Sequence, residues 1–168
     1  NLLNMSMGSI IKTKEYIIEA KKKGINILKP EINISANTYL IKNNSLVLPL
    51  KSIKNLGESA STSILEERQK NGKYNDYLDF ISRVYGKSVN KKTIISLIDA
   101  GVLDSFKMTK KTMIENLDIA INYAELVKDL DASLIMAPNI TEIPEYEEDI
   151  LRDKELESYG FYITNHPV

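Results

Sequence analysis

The chain has 168 residues, a formal net charge of −1 and 43% apolar residues, enough for one domain or two small ones around a hydrophobic core. Because the chain is not basic overall, any contact with nucleic acid depends on local lysines. The absence of cysteine and the single histidine exclude disulfides, thiolate metal sites and a histidine metal site. Without a membrane-spanning apolar run or a basic leader, we expect a cytoplasmic protein with no membrane contact.

The first predicted elements are a helix and a β-hairpin. Ile10–Lys23 has isoleucines on one side and lysines near its end, and Gly24 follows, so this segment is predicted to be helical. Residues 25–35 are predicted to form an extended loop around Pro30. The pair Asn43-Asn44 tolerates positive φ and lies between two apolar runs, which indicates a β-hairpin. The two runs are Tyr39–Ile41 and Leu46–Leu48.

A helix–hairpin–helix is predicted next. A short apolar helix with Leu50 and Ile53 leads into a tight connection at 54–57, and a second helix follows. The buried side of that second helix is predicted to hold Ala60, Ile64 and Leu65. Free backbone amides and the helix dipole both favour an anion at such a helix N-terminus. Since Lys51 and Lys54 flank the connection, the segment is suited to bind a nucleic-acid backbone.

Helices are also predicted for much of the remaining chain. Tyr77–Val84 is predicted to be a short helix. Asn90 can cap the next helix, which Gly101 closes, and the unit Asn90–Leu103 is predicted to be a second, degenerate helix–hairpin–helix. A stripe with spacings of four and three predicts one long amphipathic helix. The stripe consists of Met113, Leu117, Ala120, Ala124, Val127 and Leu130.

The chain end completes a mainly α fold. Pro138, Asn139 and Pro144 indicate a loop or linker over residues 131–146, and the acids after it suit the N-terminal end of a last helix. We therefore expect a tandem helix–hairpin–helix with a small β-hairpin and flanking helices.

The candidate DNA-contacting residues belong to the two hairpin units. They are Lys51, Lys54, Asn55, Leu56, Gly57, Ser59, Lys91 and Lys92. Asn55 stands where a helix–hairpin–helix usually has the first glycine of Gly-apolar-Gly, and Asn is the residue besides glycine that best tolerates a left-handed conformation. The alternatives are an ordinary turn between core helices for residues 54–57 and a solvated first helical turn for Lys91 and Lys92.

Catalytic signatures are missing from the sequence. It has no Walker loop, nucleophile elbow or paired-carboxylate motif, so we expect no catalytic residue and no metal ligand in this segment.

Five sequence elements occur in a fixed order across nearly the whole chain. The first element is Pro30–Asn33 with Ser35, which resembles a Pro-Asp-Val-Asn-x-Ser element. The others are Leu50–Arg68, Leu78–Val84 (LDFISRV), Val89–Asp104 (VNKKTIISLIDAGVLD) and Lys154–Pro167 (KELESYGFYITNHP). Each element is weak alone, but in combination they resemble the C-family replicative polymerases, the alpha subunits of bacterial DNA polymerase III.

This resemblance implies that the complete protein is a DNA-directed DNA polymerase, a nucleotidyltransferase. Residues 1–36 would end the fingers region, and 37–106 would be the β-hairpin and tandem helix–hairpin–helix that hold duplex DNA without reading its sequence. Residues 107–168 would lead through a long helix, a linker and a terminal helix to an OB-fold module. The palm domain with its Mg²⁺ would lie outside this chain, which we interpret as a piece of a larger protein. Other replisome subunits would be partners.

Departures from the family pattern keep other functions open. The family's clamp-binding peptide reads Gln-x-x-apolar-Phe, whereas Ser133–Met136 at the corresponding place has neither Gln nor Phe, which puts sliding-clamp binding in doubt. One alternative is a helix–hairpin–helix module of a DNA repair or recombination protein. The other is a helical interaction module whose 113–130 stripe meets a protein partner.

Overall fold

The computed structural model describes residues 18–19, 22–36, 38–42, 45–86 and 88–160. Most of the predicted helix Ile10–Lys23 lies outside the described residues, although Ile18, Glu19 and Lys22 are helical. The predicted turn residues Asn43 and Asn44 also lie outside them.

A small three-stranded sheet precedes the helices. Its strands are β1 (Asn26–Leu28), β2 (Leu40–Lys42) and β3 (Ser45–Val47), with β3 in the centre. β2 and β3 pair antiparallel with Leu40 opposite Val47, as the predicted hairpin requires. β1 pairs parallel with β3. The prediction of a loop over residues 25–35 is therefore wrong at β1, because a three-residue strand with a parallel, non-local partner leaves no alternating pattern to recognise.

The first helix–hairpin–helix is present. A 3-10 helix, Leu50–Ser52, is followed by a bend and by α1 (Glu58–Asn71). Ala60 and Ile64 are buried as predicted, and Leu65 packs partly buried against the core. Gly72 ends α1 with a φ of 85°.

The next two helices begin at side-chain caps. The Asp76 carboxylate accepts a hydrogen bond from the Asp79 amide at 2.8 Å, and α2 (Tyr77–Val84) follows. The Asn90 side chain accepts one from the Thr93 amide at 2.9 Å, and α3 (Lys91–Asp99) follows. Such caps satisfy amides that have no partner within the helix. Both predicted starts are thus confirmed.

The predicted long helix is two helices. α4 (Lys110–Glu115) and α5 (Leu117–Asp129) are separated by Asn116, which has φ −99° and ψ 8°. The Asn116 side-chain amide donates to the carbonyls of Thr112 and Thr141, at 2.8 and 3.0 Å. Bonding back to the residue four positions earlier bends a helix. The apolar stripe did not reveal this interruption because its spacing continues across Asn116.

Residues 130–147 connect α5 to α6 (Glu148–Tyr159) as a loop that contains a 3-10 helix, Ala132–Leu134. The loop returns along α4. Thr112 Oγ1 donates to the carbonyl of Ile143 at 3.0 Å and accepts from its amide at 2.8 Å. The Glu145 carboxylate accepts from the amides of Lys110 and Lys111 at the start of α4. The predicted linker is therefore fixed to the helical body.

One hydrophobic core joins the sheet and the helices. Tyr74 and Phe80 meet edge to face with ring centroids 4.9 Å apart, and the Tyr77 hydroxyl donates to the Met113 carbonyl at 2.8 Å. α2 packs against α5. In the parts of the chain that the structure describes, no helix is both long enough and apolar enough to cross a membrane.

Arg83 connects α1, α2 and the loop between them through several hydrogen bonds and ion pairs. Its guanidinium pairs with Glu67 at 3.0 Å and Asp79 at 3.1 Å, and it donates to the Gly72 carbonyl at 2.7 Å. It also lies 4.3 Å from the centroid of the Tyr74 ring. Because the group is largely buried, removing it leaves partners without a hydrogen bond.

We expect Arg83→Gln to lower the free energy of unfolding by about 2 kcal/mol, because a neutral amide cannot satisfy both carboxylates and the carbonyl. Urea denaturation of the chain measures this change. Arg152→Gln on α6 is the matched control and should shift the midpoint little. Equal shifts in the two variants would contradict the assigned role of Arg83.

Candidate nucleic-acid interface

The bend at residues 54–57 joins the 3-10 helix to α1. Asn55 adopts a left-handed conformation with a φ of 67°, as its place in the motif predicts. Leu56 is half-buried and packs against the core, so it anchors the bend from inside.

The arrangement of the backbone amides at the start of α1 favours an anionic ligand. Gly57 is the N-cap residue and no side chain caps the helix. The amide of Ser61 donates to the Gly57 carbonyl at 3.1 Å. Among the described residues, no acceptor meets the amides of Gly57, Glu58 and Ser59. Unpaired amides and the positive end of the helix dipole favour an anion at this place.

Gly57 leaves space above these amides. Its φ of −69° is accessible to any residue, and a Cβ built on it would meet nothing within 4 Å. The packing of the chain itself therefore does not require glycine here. Close approach of a ligand to the backbone is a further reason for a glycine.

Two other amides of the bend already donate hydrogen bonds within the chain. The Lys54 amide donates to the carbonyl of Ser158 at 2.7 Å, and the Leu56 amide makes a long contact of 3.4 Å with the Ile53 carbonyl. The bend is thus held from its inner side, and its open amides belong to the Gly57–Ser59 side.

Two of the predicted lysines flank these amides. Lys51 Nζ lies 3.6 Å from the carboxylate of Glu58, whose side chain is 81% exposed. Lys54 is exposed. An exposed ion pair of this kind contributes at most about 1 kcal/mol, so a phosphate can compete with Glu58 for Lys51. Ser59 is exposed in the first turn of α1 and completes the cluster around the bend.

The turn after α3 differs from this bend. The amides of Gly101 and Val102 donate to Ile98 and Leu97. A Cβ on Gly101, which has a φ of 81°, would lie 2.9 Å from the Lys29 side chain, and Lys29 pairs with Asp104. With both amides used and a carboxylate beside it, this turn does not form a second anion-binding site, although the sequence predicts a second, degenerate helix–hairpin–helix over Asn90–Leu103.

Lys91 and Lys92 lie apart from the bend in sequence, in the first turn of α3. Lys91 Nζ pairs with Asp118 on α5 at 2.7 Å, and both side chains are largely exposed. Lys92 is exposed. α3 packs against α4 and α6. The structure therefore assembles Lys51, Lys54 and residues 55–59 into one cluster, whereas Lys91 pairs with Asp118 on α5, outside this cluster.

Sequence reasoning missed the residues that hold the bend from inside. Ser158 and Tyr159 form the end of α6, and their backbone or side-chain groups bond to the two turns. They fall inside the resemblance element Lys154–Pro167, but nothing in that pattern indicates contact with the distant residues Lys54 and Ala100.

The acidic side chains do not form a metal centre in the described part of the chain. No group of three or more His, Cys, Asp or Glu side chains there is arranged to hold a metal ion. The ion pairs named above use several of these carboxylates instead.

Comparison with known proteins places the same features in a family. A family profile described as "Helix-hairpin-helix motif" matches residues 24–113, which include the sheet, the bend and helices α1 to α3. This range is more than half of the 168 residues.

Similar proteins confirm the resemblance read from the sequence. The chain is 36% identical over 174 residues to DNA polymerase III subunit alpha of Staphylococcus epidermidis, with all of this chain and 16% of that protein covered. The same subunit of Bacillus subtilis is 35% identical, covering 99% of this chain and 16% of that protein. That of Borreliella burgdorferi is 36% identical, covering 94% and 15%. The chain thus spans about one sixth of the length of these relatives. Because the profile covers more than half of the chain and contains the bend, this protein belongs to the helix–hairpin–helix motif family.

Proposed function

We propose that this chain is the DNA-holding segment of a bacterial replicative DNA polymerase, the alpha subunit of DNA polymerase III. It binds duplex DNA through phosphate contacts at the bend, without reading the bases. This role keeps the growing duplex near the active site while the palm domain adds nucleotides. The similar alpha subunits and the helix–hairpin–helix profile support the proposal.

One observation carries the DNA contact. Among the described residues, none provides an acceptor for the amides of Gly57, Glu58 and Ser59. The space beside Gly57 is open, and Lys51 and Lys54 lie next to these amides. A sugar-phosphate backbone presents an anion that fits this arrangement in any sequence. Such contacts position the protein on the duplex and give affinity that falls with salt.

The wider assignment follows from the same proposal. The complete protein would be a DNA-directed DNA polymerase in the cytoplasm, working with other replisome subunits. Its Mg²⁺ would be bound by palm residues outside this chain. In that protein, the end of the fingers would be residues 1–36 and the DNA-holding unit would be residues 37–106. The segment that leads to an OB-fold module would be residues 107–168.

A sliding clamp is a second proposed partner, favoured by one surface. In the segment Ser133–Met136, Leu134 is 80% exposed and Met136 is 92% exposed. Leu126 and Leu130 at the end of α5 are also exposed. Exposed apolar side chains so close in sequence favour a protein contact, although the usual Gln and Phe are absent.

We expect Lys51→Glu with Lys54→Glu to weaken duplex binding about tenfold or more, because both phosphate partners are replaced by like charges. The loss should be uniform over DNA sequences, and the dependence on log salt should become shallower. Fluorescence anisotropy with two unrelated duplexes measures both quantities. Lys70→Glu with Lys73→Glu, about 20 Å away at the other end of α1, is the charge-matched control. Equal losses in the two double variants would contradict binding at the bend.

We expect Gly57→Ala to bind duplex DNA several-fold more weakly while the free energy of unfolding changes by less than about 1 kcal/mol. Among the described residues, none lies within 4 Å of the new methyl group, so it would touch the approaching phosphate and not the fold. Gly101→Ala reverses the pattern: it should destabilise the fold, because Gly101 has a φ of 81° and a crowded Cβ position. A Gly57→Ala variant with unchanged affinity would remove this glycine from the interface.

We expect Asn55→Gly to retain duplex binding, since glycine adopts the φ of 67° without strain. Asn55→Val should lower the free energy of unfolding by about 1–2 kcal/mol, because a β-branched residue is strained in the left-handed region. Thermal unfolding and anisotropy titrations of both variants check this pair. Full stability of the valine variant would show that the bend is not held in this conformation.

A further inference from the structure

The last turn of α6 contacts both turns of the helix–hairpin–helix unit. The carbonyl of Ser158 accepts the hydrogen bond from the Lys54 amide at 2.7 Å. The hydroxyl of the next residue, Tyr159, donates to the carbonyl of Ala100 at 2.6 Å. α6 therefore connects the bend before α1 with the turn after α3, although these lie far apart in sequence.

A second contact fixes α6 on the end of α3. Lys154 Nζ lies 2.9 Å from Asp99 Oδ1, and both side chains are largely buried. Lys154 also lies 4.8 Å from the centroid of the Tyr146 ring. With the Tyr159 bond one helical turn further on, α6 has little freedom to slide or rotate along α3.

The buried position of Tyr159 keeps its hydroxyl bonded to the Ala100 carbonyl. It is 1% exposed. Burial raises the pKa of its phenol well above the usual range, and the nearby carboxylates of Glu155 and Asp104 act in the same direction. The hydroxyl therefore remains protonated and keeps donating to Ala100 at any physiological pH.

We propose that Tyr159 is a positioning residue for DNA binding: by holding the last turn of α6 on Ala100, it presents the Ser158 carbonyl that fixes the bend at Lys54. The proposal rests on the proposed function, because it assigns a role to α6 at the same phosphate-binding bend. It also assigns the end of α6, about a hundred residues after the bend, a role in the interface.

The proposed role of Tyr159 depends on preorganisation of the bend before DNA binds. The Ser158 carbonyl is one of the last four of α6, which have no partner within the helix, and the Lys54 amide lies in a turn. Their bond satisfies both groups and holds the inner side of the bend, so that the amides of Gly57 to Ser59 keep their outward arrangement. A loop ordered before binding does not lose that freedom when DNA binds.

Tyr159→Phe tests this role, and Tyr77→Phe is the matched control. Tyr77 is also fully buried, and its hydroxyl donates to the Met113 carbonyl at 2.8 Å. Each variant removes one hydroxyl from one buried backbone carbonyl, so similar losses of overall stability are expected. Only the Tyr159 variant releases the end of α6 from Ala100.

Two measurements on the whole chain separate positioning from general stability. Hydrogen exchange of the Lys54 amide should become about threefold to tenfold faster in Tyr159→Phe than in Tyr77→Phe, while the Gly72 amide at the far end of α1 exchanges equally in both. Duplex affinity should fall about threefold to tenfold in Tyr159→Phe only, with an unchanged salt dependence because no charge is lost.

The outcomes distinguish the two proposals. Equal Lys54 exchange in the two variants, or equal duplex affinity, would overturn the positioning role. If the unchanged chain bound no duplex at low salt, the proposed function would fail, and the exchange comparison would still decide whether Tyr159 fixes the bend. Faster Lys54 exchange together with weaker binding, seen only in Tyr159→Phe, would support the role.

Discussion

The hydrogen bond between the Lys54 amide and the Ser158 carbonyl is the constraint on which the arrangement of the candidate interface depends. It joins the bend before α1 to the last turn of α6. On one side of the bend the Lys54 amide bonds within the chain, and on the other the amides of Gly57 to Ser59 have no acceptor among the described residues. A turn held on one side and open on the other suits the proposed phosphate contact, because its donors would not need to reorganise when a phosphate binds.

The two turns of the unit illustrate how similar local patterns acquire different roles. Both contain a left-handed residue, Asn55 in one and Gly101 in the other. At the first turn, the space beside Gly57 is empty. At the second, the Lys29 and Asp104 pair fills the space beside Gly101, and the turn amides bond within the chain. At the first turn, no described residue provides an acceptor for the amides of Gly57 to Ser59, whereas the second turn receives the loop after β1 and the Tyr159 hydroxyl of α6.

Local rules predicted the elements that local interactions create. Residues within about four positions decide the start of α2 at Tyr77, the cap at Asn90, the buried face of α1 and the left-handed Asn55. Predictions were wrong where a distant partner decides the structure. β1 exists because it pairs with β3, and the long helix is interrupted where Asn116 bonds to the returning loop at Thr141. The apolar stripe continues across Asn116 and so hides the interruption, and a three-residue strand such as β1 is too short to show an alternating pattern.

By itself, the sequence determined a mainly α chain with a phosphate-suited bend at residues 54–57 and a resemblance to replicative polymerases. These depend on residue types at fixed spacings, which a sequence displays directly. Only the tertiary structure decided which amides remain open, that the second turn is filled, and that Tyr159 and Ser158 stand behind the bend. The physical reason is that a backbone amide looks the same at every position of a sequence. Whether it faces solvent or a carbonyl a hundred residues away depends on packing alone.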